Sequence, residues 1–271
     1  MIKIILSDID GTFLKVDKST PELHAKAIKA VIDKGLKFVF VSARMPEAIY
    51  PITDALGMAH TPVISYSGGL VLTEDEEILF DKKISADDAR EVLAEMNRTW
   101  QDISVSYYTG RRWVVEKVDA RIQREKENTG APFEIGNFDK LLAENILPNK
   151  IFIRCEPPIC EEMERELGKK FPALNVVRSA PYLLEIIDKS VSKATGIEVL
   201  LKHYGFTLDE AIAFGDNYND VEMLSYIPQS VVMANAPDEV KKLAAAVTDS
   251  NEDGGIYTYL VKHGIIDKCA S

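Results

Sequence analysis

Two apolar runs near the N-terminus, Ile4-Ile5-Leu6 and Phe38-Val39-Phe40-Val41, are too continuous for strands that show one face to water. Strands buried on both faces belong to a parallel sheet with helices above and below it. The intervening stretch supplies such a helix. Pro21 to Lys34 is amphipathic, Ser19 or Thr20 can cap it, Pro21 and Glu22 suit its first turn, and Gly35 suits its end. A helix from Pro46 to Leu56 and a strand from Val63 to Ser65 extend the pattern to βαβαβ.

The rhythm then changes. From about Lys83 to Ile187 a helix (Ala86 to Trp100) leads into paired strand candidates, Ile103 to Tyr108 and Arg112 to Glu116, with Gly110 in the turn. A helix at Asp119 to Asn128, a strand at Lys150 to Arg154, a helix at Pro158 to Lys170 and strands at Asn175 to Arg178 and Tyr182 to Ile187 follow. Hairpins mixed with helices read as α+β. After Asp188 the α/β alternation resumes: helix Ser192 to Tyr204, strand Ala211 to Phe214, helix Asp220 to Ser225, strand Ser230 to Ala234, helix Pro237 to Ala244. We therefore expect a doubly wound, mainly parallel, Rossmann-like α/β core made from residues 1–82 and 188–271, interrupted by an α+β domain over residues 83–187.

The composition suits a core that needs no disulfides: 46% of the 271 residues are hydrophobic. Cys155, Cys160 and Cys269 match no zinc-ligand spacing and are expected to be reduced thiols. Lys and Arg total 32 against 43 for Asp and Glu, so the net charge of −11 leaves no footprint for nucleic acid or an anionic membrane. An anionic substrate would have to be attracted locally. No signal peptide or membrane span is read at Met1, which makes the cytoplasm the expected setting, and nothing calls for an obligate protein partner.

Chemistry concentrates where strands end. Asp8 and Asp10, in Asp8-Ile9-Asp10-Gly11-Thr12, follow the first strand directly, where open α/β sheets bind ligands. Their spacing puts both carboxylates on one side of an extended backbone, and such a pair needs a shared proton or a cation. Magnesium, a hard ion with oxygen ligands, answers that need, although Asp10-Gly11 alone is also an ordinary turn. Gly215-Asp216-Asn217-Tyr218-Asn219-Asp220 follows another buried strand. Asn219 or Asp220 can cap the next helix, which accounts for one acid, while Asp216 would join Asp8 and Asp10 if the two strands are neighbours, with Asp220 supporting from behind. Ser42, in Val41-Ser42-Ala43-Arg44, is a helix cap or a phosphate ligand. Lys193 stands in a helix's first turn, which the dipole disfavours; taken alone it reads as a solvated surface lysine, and its position hints at another purpose.

In order and position these segments resemble the four motifs of the haloacid dehalogenase-like phosphatase superfamily, and the long insertion is similar to the α+β cap of its Cof-type sugar-phosphatase branch. The resemblance spans nearly the whole chain. It implies that Asp8 is the nucleophile, forming an aspartyl-phosphate, and that Asp10 is the general acid and base. Mg2+ would be held by Asp8, the Asp10 carbonyl and Asp216. Ser42, the Ala43 backbone, Lys193 and Asn219 would hold the phosphoryl oxygens. Two segments depart from the family pattern: Ser42-Ala43-Arg44 replaces Thr-Gly-Arg, and Ser67-Gly68-Gly69 replaces a frequent Asn-Gly-Ala.

The function so implied is magnesium-dependent hydrolysis of small phosphorylated, sugar-phosphate-like metabolites. A phosphomutase or phosphotransferase, or a non-catalytic phosphosugar-binding protein, are the alternatives on the same fold. Tyr107, Tyr108, Arg111, Arg112 and Trp113, with Arg178 and Glu185, are candidates for selecting the leaving group or for packing the inserted domain.

Overall fold

The computed structural model describes residues 1–58 and 61–268, so Cys269 lies outside the described residues. Its first part runs β1 (Ile4–Ser7), α1 (Glu22–Asp33), β2 (Lys37–Val41), α2 (Tyr50–Ala55), β3 (Val63–Ser65), β4 (Leu70–Leu72) and β5 (Ile78–Asp81). The inner face of α1 buries His24, Ala27, Ile28 and Val31, one residue every three or four, as an amphipathic helix requires. Its expected cap is not formed: Pro21 occupies the cap position, and Ser19 bonds Asp17 instead. The helix expected from Pro46 is split into a 3-10 turn at Pro46–Ala48 and the short α2.

The middle of the chain runs α3 (Ala86–Thr99), β6 (Ser104–Thr109), β7 (Arg112–Val115), α4 (Ala120–Thr129), β8 (Glu134–Ile135), α5 (Phe138–Ala143), β9 (Lys150–Arg154), α6 (Pro157–Lys170), β10 (Leu174–Ala180) and β11 (Leu183–Asp188). Caps set the helix starts: Ser85, Asp119 and Asn137 each accept a backbone N–H from the first turn that follows. The strands form one six-stranded sheet, ordered β10-β11-β9-β6-β7-β8. Tyr107, Ile151, Ile153, Leu184 and Ile186 from this sheet pack with Val92, Met96, Met163 and Leu167 from α3 and α6. The buried Cys155 and Cys160 are free thiols in the same cluster.

The last part runs α7 (Lys193–Tyr204), β12 (Ala211–Gly215), α8 (Val221–Tyr226), β13 (Gln229–Val232), α9 (Asp238–Lys241), β14 (Ala246–Val247) and α10 (Gly255–Lys262). Its strands enter the same sheet as β1 to β5, in the order β14-β13-β12-β1-β2-β3-β4-β5. β1 lies between β12 and β2 and is parallel to both, with Leu6 level with Ala213 on one side and Val39 on the other. β3 and β4 pair antiparallel, Val63 with Leu72 and Ser65 with Leu70. Ile4, Leu6, Val39, Val41, Ala211 and Ala213 are fully buried against Ile197, Leu200 and Leu201 of α7, which explains the near-continuous apolar runs.

The chain divides into two compact units. One comprises Met1–Arg44, Ile49–Phe80 and Ser192–Ser271, and the other Met45–Ala48 and Asp81–Val191. No helix among the described residues is long and apolar enough to cross a membrane.

Candidate active site

Loops leaving the carboxyl ends of β13, β12, β1 and β2 meet in the first unit, at the place where the strand order reverses around β1. Asp8 follows β1 immediately, its N–H donating to the Phe214 carbonyl at 3.0 Å, and the residue is only 4% exposed. Asp216 follows β12. The parallel β1–β12 register thus delivers the two carboxylates from positions far apart in the chain to one spot.

Lys193 is the cation that joins Asp8 to Asp220. Its Nζ donates to Asp8 Oδ1 at 2.5 Å and to Asp220 Oδ1 at 2.6 Å, and the residue is 1% exposed. Ser192 caps α7 and accepts the Thr195 N–H, so Lys193 is the first helical residue. Two glycines bring it there. A β-carbon on Gly68 would lie 1.9 Å from the Ser192 carbonyl oxygen, and one on Gly196 would lie 2.9 Å from Gly68 Cα, so α7 runs against the turn after β3 only because both side chains are missing.

Asp220 is fully buried and heavily engaged. Besides Lys193, its Oδ2 accepts the N–H groups of Asp216 (2.9 Å) and Asn217 (3.1 Å), which fixes the loop carrying Asp216. Asn217 caps the 3-10 turn Tyr218–Asp220, in which Asn219 lies exposed, and Asp220 stands at the N-cap position of α8 without a side-chain cap bond. Asp216 is itself held by Thr12, whose Oγ1 donates to Asp216 Oδ1 at 2.7 Å.

Asp8, Asp216 and Asp220 each offer an oxygen within 4.8 Å of the others. Burial raises the Asp8 carboxyl well above its usual range; Asp220, Asp216 and Asp10 push it further, against the pull of Lys193. Asp216 is likewise raised to about 6, first by burial and then by Asp220 and Asp10, with the Thr12 hydrogen bond opposing. Burial works against the Lys193 charge, but Asp220 and Asp8 outweigh it and hold the ammonium above its usual range. One ammonium among three carboxylates leaves surplus negative charge on hard oxygen donors. That donor set fits a divalent metal ion.

Asp10 points elsewhere. Arg44 grips it with both forks, Nε to Oδ2 at 2.8 Å and Nη2 to Oδ1 at 2.7 Å, and Lys18 Nζ donates to Oδ1 at 2.8 Å. Burial alone would raise this carboxyl, yet the hydrogen bond and charge of Arg44, with Lys18, take it below the usual range. Asp10 is ionised in this arrangement, whereas a general acid must carry a proton.

Ser42 is 2% exposed and does not cap a helix: its Oγ accepts the Arg44 N–H at 3.2 Å, its N–H donates to Ile64 O, and its carbonyl accepts the Ser67 N–H. Ala43 lies half-buried beside it. Ser67 sits in the left-handed region at φ 55°, and its role here is that main-chain bond to Ser42. Three further side chains hold these acids: Thr12 on Asp216, and Lys18 and the Arg44 fork on Asp10. Thr12 and Arg44 stand inside the Asp8 and Ser42 segments, whereas Lys18 stands in neither.

In the second unit the candidates find partners of their own. Tyr107 OH donates to Ile146 O at 2.6 Å, Tyr108 stacks on Trp113 with ring centres 5.7 Å apart, Arg112 pairs with Glu134, Arg178 with Glu164, and Glu185 with Lys150.

The sequence profile of the haloacid dehalogenase-like hydrolases matches residues 5–260. A Haemophilus influenzae protein whose name assigns it provisionally to the phosphatases is 33% identical over 260 residues, covering 94% of this chain and 96% of the relative. A haloacid dehalogenase-like hydrolase from Bacteroides thetaiotaomicron superposes with a TM-score of 0.86 at 28% identity, over 97% of this chain and 100% of the other. The fold is also shared with a sugar phosphatase of subclass IIB, TM-score 0.83 at 23% identity, over 97% of this chain and 100% of that one. Motifs, sheet order and these likenesses agree: the chain is an enzyme of the haloacid dehalogenase-like hydrolase family.

Proposed function

We propose that the protein is a magnesium-dependent phosphatase that hydrolyses small phosphorylated, sugar-phosphate-like metabolites through an aspartyl-phosphate on Asp8. The observation that carries this reading is the Asp8 carboxylate, buried and held by Lys193 at 2.5 Å within the acidic cluster that includes Asp216. A buried carboxylate with one oxygen pinned by an ammonium presents the other in a fixed direction, as a nucleophile should.

Attack by Asp8 on phosphorus breaks the bond to the leaving oxygen, and Asp10 would give that oxygen its proton. Asp10 would then take a proton from the water that splits the aspartyl-phosphate, releasing phosphate and restoring Asp8. For the first of these steps Asp10 must part from Arg44 and Lys18, and an incoming phosphate dianion is a partner for which both cations would exchange it. Ser42, the Ala43 backbone, Lys193 and Asn219 are the groups assigned to the phosphoryl oxygens. Asp8, Asp216 and the Asp10 carbonyl would hold magnesium, which supplies positive charge against the phosphoryl oxygens. The inserted second unit, taken as residues 83–187, is read as the cap of such enzymes, and the free thiols Cys155 and Cys160 suit a cytoplasmic setting.

The test is phosphate release from a panel of phosphorylated metabolites with Mg2+, for the wild type and Asp8→Asn. Release by the wild type and none by a folded Asp8→Asn variant is expected. Near-wild-type turnover by the variant would remove Asp8 as nucleophile. Isomerised sugar phosphate without free phosphate would make the enzyme a mutase, and binding without turnover a phosphosugar-binding protein.

A further inference from the structure

Asn235 lies three residues beyond the end of β13, the strand next to β12, in Ala234-Asn235-Ala236-Pro237, and the four motifs do not include it. Its side-chain amide spans three segments. Nδ2 donates to the Gly11 carbonyl at 2.8 Å and, more weakly, to Asp216 Oδ2 at 3.4 Å, while Oδ1 accepts the Asn251 N–H at 3.2 Å. These partners fix which way the amide points: turned over, its oxygen would face a carbonyl and a carboxylate, and its NH2 would face an N–H.

Both oxygens of Asp216 are therefore held by donors from opposite sides, Oδ1 by Thr12 and Oδ2 by Asn235. The same Nδ2 fixes Gly11, whose positive φ of 89° brings its backbone against Asp216. Asn235 is nonetheless exposed. An exposed amide could satisfy itself with water, so burial does not account for its being directed at this carboxylate.

We infer that Asn235 is a positioning residue for the metal site: it orients Asp216 against the Gly11 turn so that the carboxylate meets the ion without first being ordered. This rests on the reading of Asp216 as a metal ligand given above. Groups that orient metal ligands from outside the coordination sphere typically change affinity by tenfold or more when removed. The long contact and the exposure of Asn235 put it at the lower end.

The experiment is calorimetric Mg2+ binding to the full-length wild type and to Asn235→Ala, with metal-free melting curves and phosphatase rates across a magnesium titration. The inference expects Asn235→Ala to bind Mg2+ about tenfold more weakly, to melt within a few degrees of the wild type without metal, and to regain lost activity as Mg2+ is raised. Unchanged affinity overturns it. So does a loss of activity that excess Mg2+ leaves in place, or a metal-free melting point that collapses, since either would mark a role other than orienting Asp216. A wild type that binds no Mg2+ would overturn the reading of Asp216 itself; failure confined to the variant overturns only the role of Asn235.

Discussion

Gly11 and Asp216 approach so closely that a β-carbon on Gly11 would lie 2.4 Å from Asp216 Oδ2. Gly11 also has φ 89°, which side-chain-bearing residues rarely adopt. Gly11→Ala should therefore displace Asp216 and strain the turn together. We expect a stability loss of about 1–3 kcal/mol in urea unfolding, with greatly weakened Mg2+ binding by calorimetry. Wild-type values for both would show that the turn can relax without moving Asp216.

Lys193 is bonded to both Asp8 and Asp220, and its side chain is fully buried. Lys193→Met keeps the length and apolar stem but leaves two buried acids without their partner. Removing one member of a buried ion pair costs about 3–5 kcal/mol, and that loss should appear in chemical denaturation at neutral pH. Because the surplus is negative, Mg2+ should restore more stability to the variant than it adds to the wild type. Equal responses to Mg2+ would argue against a metal in this cluster.

His24 is fully buried, its Nδ1 bonded to the Phe13 carbonyl at 2.8 Å and its Nε2 accepting the Ile256 N–H at 3.2 Å. Both bonds need the neutral ring with its proton on Nδ1. Burial lowers its pKa from 6.5 to about 4. Between those values the unfolded chain binds the extra proton and the folded chain does not, so His24 makes stability fall as pH drops from about 6.5 to about 4 and level off below. The full effect is about 3 kcal/mol. His24→Gln should flatten that part of the stability–pH curve, and a variant curve parallel to the wild type would remove His24 as the cause.

Lys18 is half exposed, and its bond to Asp10 favours the ionised carboxylate. If Asp10 must carry a proton when substrate arrives, Lys18→Met should move the alkaline limb of the kcat/KM profile to higher pH. A limb that stays in place would separate Lys18 from the proton cycle of Asp10.

The motifs at Asp8, Asp216 and Lys193 were legible because acids after buried strands, and a lysine in a helix's first turn, have few structural reasons to be there. Arg44 and Asn235 were not, since their significance depends on which strands lie side by side. That β13 neighbours β12, and so brings Asn235 to Asp216, is a matter of sheet order, which a linear pattern does not carry. The two-residue β8 and β14 and the three-residue β4 escaped for another reason: they are too short to display a period. The Ser19 or Thr20 cap failed because Pro21 took its place.

The pairing of β1 with β12 also constrains the order in which the molecule can be made. Ile4 cannot find Ala211 until most of the chain has left the ribosome, and contacts of such sequence separation form slowly. Asp81–Val191, by contrast, is one continuous stretch with its own core, which can close while the N-terminal strand still waits. A nascent chain halted before β12 would carry Asp8 and Lys193, but neither Asp216 nor Asp220. The acidic cluster therefore cannot assemble until β12 and the loop after it have been made.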